Sequence, residues 1–215
     1  MKRALVDLAK SLPIYYPIHN HFTRQRYARE FTAWERNGCP VPPPHPVKQN
    51  TIRRIARQFG YRVLVETGTY YGEMIEAMRG EFDKLYTIEL SGYLHRLAMR
   101  RFKNNPHIHV IQGDSGETLP SILAEIRQPT LFWLDGHYSA GLTAKGDLET
   151  PIMQELGHIL SASDLKHGIV IDDARDFGTD PGYPSLETVR DFVLSRQPER
   201  DFRVEHDSIQ ITPRS

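Results

Sequence analysis

Five apolar runs in this chain each finish on an acidic residue: RVLVE at Glu66, LYTIE at Glu89, HVIQGD at Asp114, LFWLD at Asp135 and GIVIDD at Asp172 and Asp173. Short runs of this kind, alternating with segments of helical periodicity, are the pattern of buried parallel strands joined by crossover helices. Right-handed crossovers bring the strand carboxyl ends to one edge, and open parallel sheets bind their ligands outside that edge. The acids would therefore surround one crevice suited to a small polar ligand.

The periodicity predicts a helix at about 49–59 that leads into the first strand, then helices at about 72–80, 92–103, 116–127, 150–161 and 185–196, each between two apolar runs. Thr150 can cap the fifth, with Pro151 in its first helical position, and Ser185 can cap the sixth. FRVEHDSIQITP at the end of the chain holds two alternating runs on either side of Asp207 and Ser208, an antiparallel hairpin closing one sheet edge. The fold class is α/β: a Rossmann-like, mostly parallel seven-stranded sheet flanked by helices, with a C-terminal antiparallel hairpin and an N-terminal helical extension.

Residues 1–47 differ from the rest. They are aromatic and basic and end in the proline cluster CPVPPPHP, so they read as two helices and a stiff connector preceding a main domain at 48–215. Tyr27, Phe31 and Trp34 recur at helical spacing and form a core-facing stripe. The N-terminal helices could cover a ligand, build a homodimer contact or simply pack on the sheet.

Lysine plus arginine and aspartate plus glutamate number 27 each, so no global field favours nucleic acid or an anionic membrane. Cys39 is the single cysteine, which excludes an internal disulfide and fits a reducing compartment. Neither a signal-peptide core nor an apolar stretch of about 20 residues is present, and the chain reads as soluble and cytoplasmic.

Glu66-Thr67-Gly68-Thr69-Tyr70-Tyr71-Gly72 follows the first strand and opens a helix, an ExGxxxG turn in which glycine lets a ligand lie close against backbone N–H groups. With the ordered acids behind it, this stretch resembles the class I S-adenosylmethionine-dependent methyltransferases over about residues 48–212. The resemblance implies that the glycine loop, at Glu66, Gly68 and Gly72, holds the methionine part of S-adenosylmethionine. It also implies that Glu89 accepts hydrogen bonds from the ribose hydroxyls and that Asp114, with Ser115, lies near the adenine. A dinucleotide-binding domain would need GxGxxG, and Gly68-Thr69-Tyr70 is not GxG.

If the fourth and fifth strands are neighbours about 4.8 Å apart, Asp135, Asp172 and Asp173 converge. Three close carboxylates repel unless protonated or bridged by a cation, and an all-oxygen set suits a hard divalent ion, magnesium before calcium or manganese. LFWLDGHYS, TPIMQEL and HGIVIDDARDF resemble the metal-dependent O-methyltransferases of the catechol type and, more closely, the macrocin type that methylates sugar hydroxyls. That likeness implies Asp135, Asp172 and Asp173 as magnesium ligands and a small-molecule hydroxyl, on a sugar or polyol, as acceptor.

A general base must reach the hydroxyl that loses its proton, and the residues available are Asp135 itself, His137 and Lys145. Catechol-type enzymes use a lysine three positions after this aspartate, where this chain has Tyr138. The segments Gly136–Glu149 and Arg175–Pro184 could wall the acceptor. Two other readings stand beside methyl transfer. A magnesium-dependent phosphohydrolase would normally carry DxD on its first strand, and a non-catalytic cofactor-binding scaffold would not need the acidic row.

Overall fold

A computed structural model describes residues 15–135, 151–162 and 165–214. A long helix α1 (Tyr15–Arg36) and α2 (His45–Phe59) precede an alternating series: β1 (Val63–Thr67), α3 (Glu73–Met78), β2 (Lys84–Glu89), α4 (Gly92–Phe102), β3 (Ile108–Gln112), α5 (Ser115–Leu123), β4 (Leu131–Leu134), α6 (Ile152–Ser161), β5 (Gly168–Ile171) and α7 (Leu186–Arg196). β6 (Arg200–Glu205) and β7 (Ser208–Pro213) close the chain. The sheet order is β3-β2-β1-β4-β5-β7-β6, parallel from β3 to β5 and antiparallel at β5–β7 and β7–β6. The seven strands, the parallel body and the C-terminal hairpin agree with the sequence pattern.

Side chains that alternate along a strand point to opposite faces, and the two cores follow that period. Val63, Val65, Phe132, Leu134, Ile169 and Ile171 pack with α5, α6 and α7 on one face. Leu64, Leu85, Trp133 and Val170 pack with α2, α3 and α4 on the other. The central strands are buried throughout, which is why they read as unbroken apolar runs, whereas β3 at one edge and β6 at the other are partly exposed.

Strand order reverses direction between β1 and β4, and a crevice opens at such a switch point. Here the Asp135 N–H donates to the Thr67 carbonyl at 3.1 Å, which ties the β4 tip to the β1 tip. Gly60, in the left-handed region at φ 71°, ends α2 and turns the chain directly into β1. α2 therefore runs back against β1, and its first turn reaches the carboxyl edge of the sheet.

Several local expectations shift. The turn between β6 and β7 is centred on His206 and Asp207, one residue earlier than expected; both have positive φ (49° and 60°), the signature of a two-residue type I′ hairpin. Pro151 precedes α6 as its cap rather than entering it, and Thr150 lies outside the described residues. Ser185 caps α7 as expected, its hydroxyl accepting from the Thr188 N–H at 3.0 Å. No helix among the described residues is long and apolar enough to cross a membrane.

Candidate active site

The tips of β1, β2 and β3 form one half of the crevice. Gly68 (φ 85°) and Gly72 (φ 74°) occupy the left-handed region that glycine alone enters freely. A Cβ on Gly72 would stand 2.7 Å from the Phe102 ring, so packing against α4 by itself calls for a glycine here. The loop's own N–H groups are already engaged. Gly68 and Thr69 donate to the Ile88 carbonyl at 3.0 and 3.2 Å, Gly72 to the Thr69 carbonyl at 2.7 Å, and Tyr70 to the Glu89 carboxylate at 2.8 Å. The expectation that these N–H groups face a ligand is corrected for those four positions: the loop is braced from within and offers a surface, not a nest of donors for phosphate.

Glu89 also accepts from the Ser91 N–H at 2.9 Å, and Asp114 accepts from the Gly116 N–H at 2.8 Å as the cap of α5. A carboxylate has about four acceptor positions, so Glu89 keeps capacity for further donors. Glu66 is buried. It accepts from the Thr87 hydroxyl at 2.5 Å, which in turn meets the Thr69 hydroxyl at 2.5 Å. Burial pushes the Glu66 pKa well above the usual carboxyl range, and Asp135 and Glu89 push the same way.

Glu155 of α6 lies beneath this half, fully buried, with neither oxygen in hydrogen-bonding geometry. The Ser115 and Thr67 hydroxyls come near enough to temper the effect, but desolvation raises its pKa from 4.5 to about 7. It sits between the end of β1 and the start of α5. Gln154, beside it, donates to the Gly116 carbonyl at 3.2 Å.

The tips of β4 and β5 form the other half. Asp135, Asp172 and Asp173 bring one carboxylate oxygen each to within 4.8 Å of the others, as the neighbouring strands require. Asp172 and Asp173 are 5% exposed, and Asp172 Oδ1 is buried with no hydrogen-bond partner among the described residues. Burial first, then Asp135, drives the Asp172 pKa well above the usual range, against the pull of Lys48.

Two cations unforeseen from sequence enter here. Lys48 Nζ, from the first turn of α2, reaches Asp172 Oδ2 at 2.5 Å and Asp173 Oδ1 at 3.0 Å. Burial works against its charge, but the two aspartates outweigh burial and raise its pKa. Arg175 reaches Asp173 Oδ1 at 2.9 Å and also pairs with Asp207, whose carboxylate accepts the Arg175 backbone N–H at 2.9 Å. The hairpin turn thereby pins the loop that carries Asp173, itself in the left-handed region at φ 52°.

The N-terminal segments also take part. Tyr27 of α1 donates to Glu73 of α3 and stacks on His45 at 5.8 Å between ring centres. His45 Nδ1 faces the Gln49 amide nitrogen at 3.2 Å, and burial lowers its pKa. Tyr183, on the segment expected as an acceptor wall, has its pKa raised by burial and then by Asp176, Asp173 and Asp135.

No family model and no curated protein matches the sequence. Solved structures do. An O-methyltransferase from Bacillus cereus bound to S-adenosylhomocysteine is 14% identical over 86% of this chain and 90% of its own, with a TM-score of 0.58. A methyltransferase from Podospora anserina, also with S-adenosylhomocysteine, is 16% identical over 95% and 98% (TM-score 0.57). An O-methyltransferase of tomaymycin synthesis from Streptomyces achromogenes, in complex with S-adenosylmethionine, is 18% identical over 87% and 89% (TM-score 0.56). The fold is that of the class I methyltransferases.

On this methyltransferase fold, the residues expected from sequence divide in two. Glu66, Gly68, Gly72, Glu89, Asp114 and Ser115 line the tips of β1 to β3, and Asp135, Asp172 and Asp173 the tips of β4 and β5. His137, with Tyr138 and Lys145, lies outside the described residues. Lys48, Arg175 with Asp207, and Glu155 are not foreseen from sequence. Lys48 has one available signal: a lysine three residues after His45, in the first turn of the helix that leads into β1.

Proposed function

We propose that the protein transfers a methyl group from S-adenosylmethionine to a hydroxyl of a small molecule, a sugar or polyol, with the help of a divalent cation such as magnesium. The observation that carries this reading is the convergence of Asp135, Asp172 and Asp173 within 4.8 Å, one strand away from a glycine loop whose N–H groups are spent internally. Such a loop suits a donor with no pyrophosphate. The solved structures of this fold that hold S-adenosylhomocysteine or S-adenosylmethionine support the choice of donor.

The donor would rest on Gly68 and the braced loop, with its ribose hydroxyls donating to the spare positions of Glu89 and its adenine beside Asp114 and Ser115. Burial raises the pKa of Glu66 at the loop base and so works against a charge there. The acidic trio fits a hard cation: its donors are all oxygen, two of the residues are buried, and Asp172 Oδ1 has no other partner among the described residues. The cation would supply Lewis acidity, lowering the pKa of an acceptor hydroxyl that is otherwise a weak nucleophile.

Asp135 is the least enclosed of the three and is held at the β1/β4 junction by its own N–H. It is the group placed to take the acceptor's proton. As the oxygen bonds to the methyl carbon, the carbon–sulfur bond breaks with its electron pair going to sulfur, and the proton moves to an Asp135 oxygen. Tyr183, with its phenol kept protonated, and neutral His45 give the acceptor side groups that can hydrogen-bond hydroxyls.

Calorimetry with S-adenosylhomocysteine, NAD or neither, each with magnesium or a chelator, tests this reading. S-adenosylhomocysteine should bind and NAD should not, and magnesium should bind to wild type but not to Asp135→Asn. Binding of NAD alone would remove the donor assignment, and a cation affinity unchanged in Asp135→Asn would remove the metal assignment. In single-turnover assays against a panel of polyols and sugars, Asp135→Asn should lose roughly 10²-fold or more in rate.

A further inference from the structure

Two cations hold Asp172 and Asp173, and they differ in how they are themselves held. Arg175 is clamped: its guanidinium pairs with Asp207 as well as Asp173, and the Asp207 carboxylate also takes its backbone N–H at 2.9 Å. Lys48 is tied to the cluster through its ammonium, at the end of a flexible four-carbon stem. Its side chain keeps 17% exposure, while those of Asp172 and Asp173 keep 3% and 7%.

We infer that Lys48 is a tethered counter-ion that a divalent cation must displace from Asp172 and Asp173, so that this one side chain sets the cation affinity of the site. The inference rests on the reading of the trio as a cation site. An ion bridging Asp172 and Asp173 would stand within a few ångströms of the ammonium, and like charges in so enclosed a space repel strongly. Lys48 covers Asp172 Oδ2 and Asp173 Oδ1 but not Asp172 Oδ1, which is buried beside them. An ion that takes Asp172 Oδ2 and Asp173 Oδ1 as ligands therefore requires the ammonium to leave. Lys48 keeps the aspartates paired when no ion is bound and lowers affinity by the cost of that exchange.

The test is titration of manganese, followed by the electron spin resonance of the free ion, into wild type, Lys48→Met, Lys48→Gln and Lys48→Arg, all saturated with S-adenosylhomocysteine. Both uncharged variants should bind manganese about tenfold or more tightly than wild type, and Lys48→Arg should bind no more tightly than wild type. Thermal unfolding gives a second readout: without metal the uncharged variants should melt below wild type, and magnesium should raise their Tm by more than it raises that of wild type. A merely structural lysine would leave affinity unchanged or weaken it, and either result in both uncharged variants overturns the inference while the cation site stands. Absence of manganese binding in every form, with S-adenosylhomocysteine still bound, would instead overturn the cation site and this inference with it.

Discussion

The two halves of the crevice hold their carboxylates by opposite means. At the tips of β1 to β3, Glu66, Glu89 and Asp114 are met by hydroxyls and backbone N–H groups from their own or the adjoining strand and loop: Thr87, Tyr70, Ser91 and Gly116. At the tips of β4 and β5, Asp172 and Asp173 are met by full positive charges: Lys48 from a distant part of the chain, and on Asp173 also Arg175, which distant Asp207 anchors. The first half is a rigid seat assembled locally. The second is a charge cluster with one clamped cation, Arg175, and one on a flexible stem, Lys48.

The largest expected effect falls on the first half. Glu89→Ala removes the acceptor for two backbone N–H groups and for the proposed ribose contact, and calorimetry should show S-adenosylhomocysteine affinity falling roughly 10²- to 10³-fold, with manganese affinity little changed. A loss below about threefold would mean that the seat does not depend on Glu89.

Glu155→Gln separates the halves by pH. The Glu155 pKa is raised on folding, so the native state holds a proton that the unfolded chain releases. Its contribution is fully present below pH 4.5, declines as pH rises towards about 7, and is flat above that. A tenfold change in proton affinity corresponds to about 1.36 kcal/mol, so denaturant unfolding should show wild type losing at most about 3 kcal/mol relative to Glu155→Gln across that window. Parallel pH profiles for the two proteins would contradict this.

Arg175→Met leaves Asp207 buried without its guanidinium partner. Removing one member of a buried pair costs about 3–5 kcal/mol, but the Arg175 side chain is 37% exposed, so about 2 kcal/mol is expected, a fall in Tm of about 5 °C. Manganese affinity should drop with it, because Asp173 loses its brace, while S-adenosylhomocysteine affinity should hold. Ser185→Ala, far from both halves, serves as the smallest and purely local change: one lost cap, about 1 kcal/mol, and no effect on either ligand.

The same contrast explains what the sequence made legible. Buried central strands must be apolar on both faces, so β1, β2, β4 and β5 announced themselves, and with them the acids at their tips. Capping by Ser185 and Asp114 is likewise a local signal. Lys48 meets Asp172 across 124 positions and Arg175 meets Asp207 across 32, pairings that no periodicity encodes. Burial of Glu155 depends on α6 packing over both β1 and α5, and a lone glutamate on an amphipathic helix carries no mark of it. The glycine loop shows the reverse: its residues were visible, but the packing of Gly72 against Phe102 was not.

The central claim is that donor and cation occupy adjoining halves of one crevice. The most direct measurement is the nuclear relaxation of the methyl carbon of 13C-methyl S-adenosylmethionine bound to the protein with manganese or, as a diamagnetic reference, magnesium. Strong paramagnetic relaxation with manganese, abolished in the Asp135→Asn and Asp172→Asn variants, is the predicted result. A methyl signal that binds but relaxes equally with either metal would contradict it.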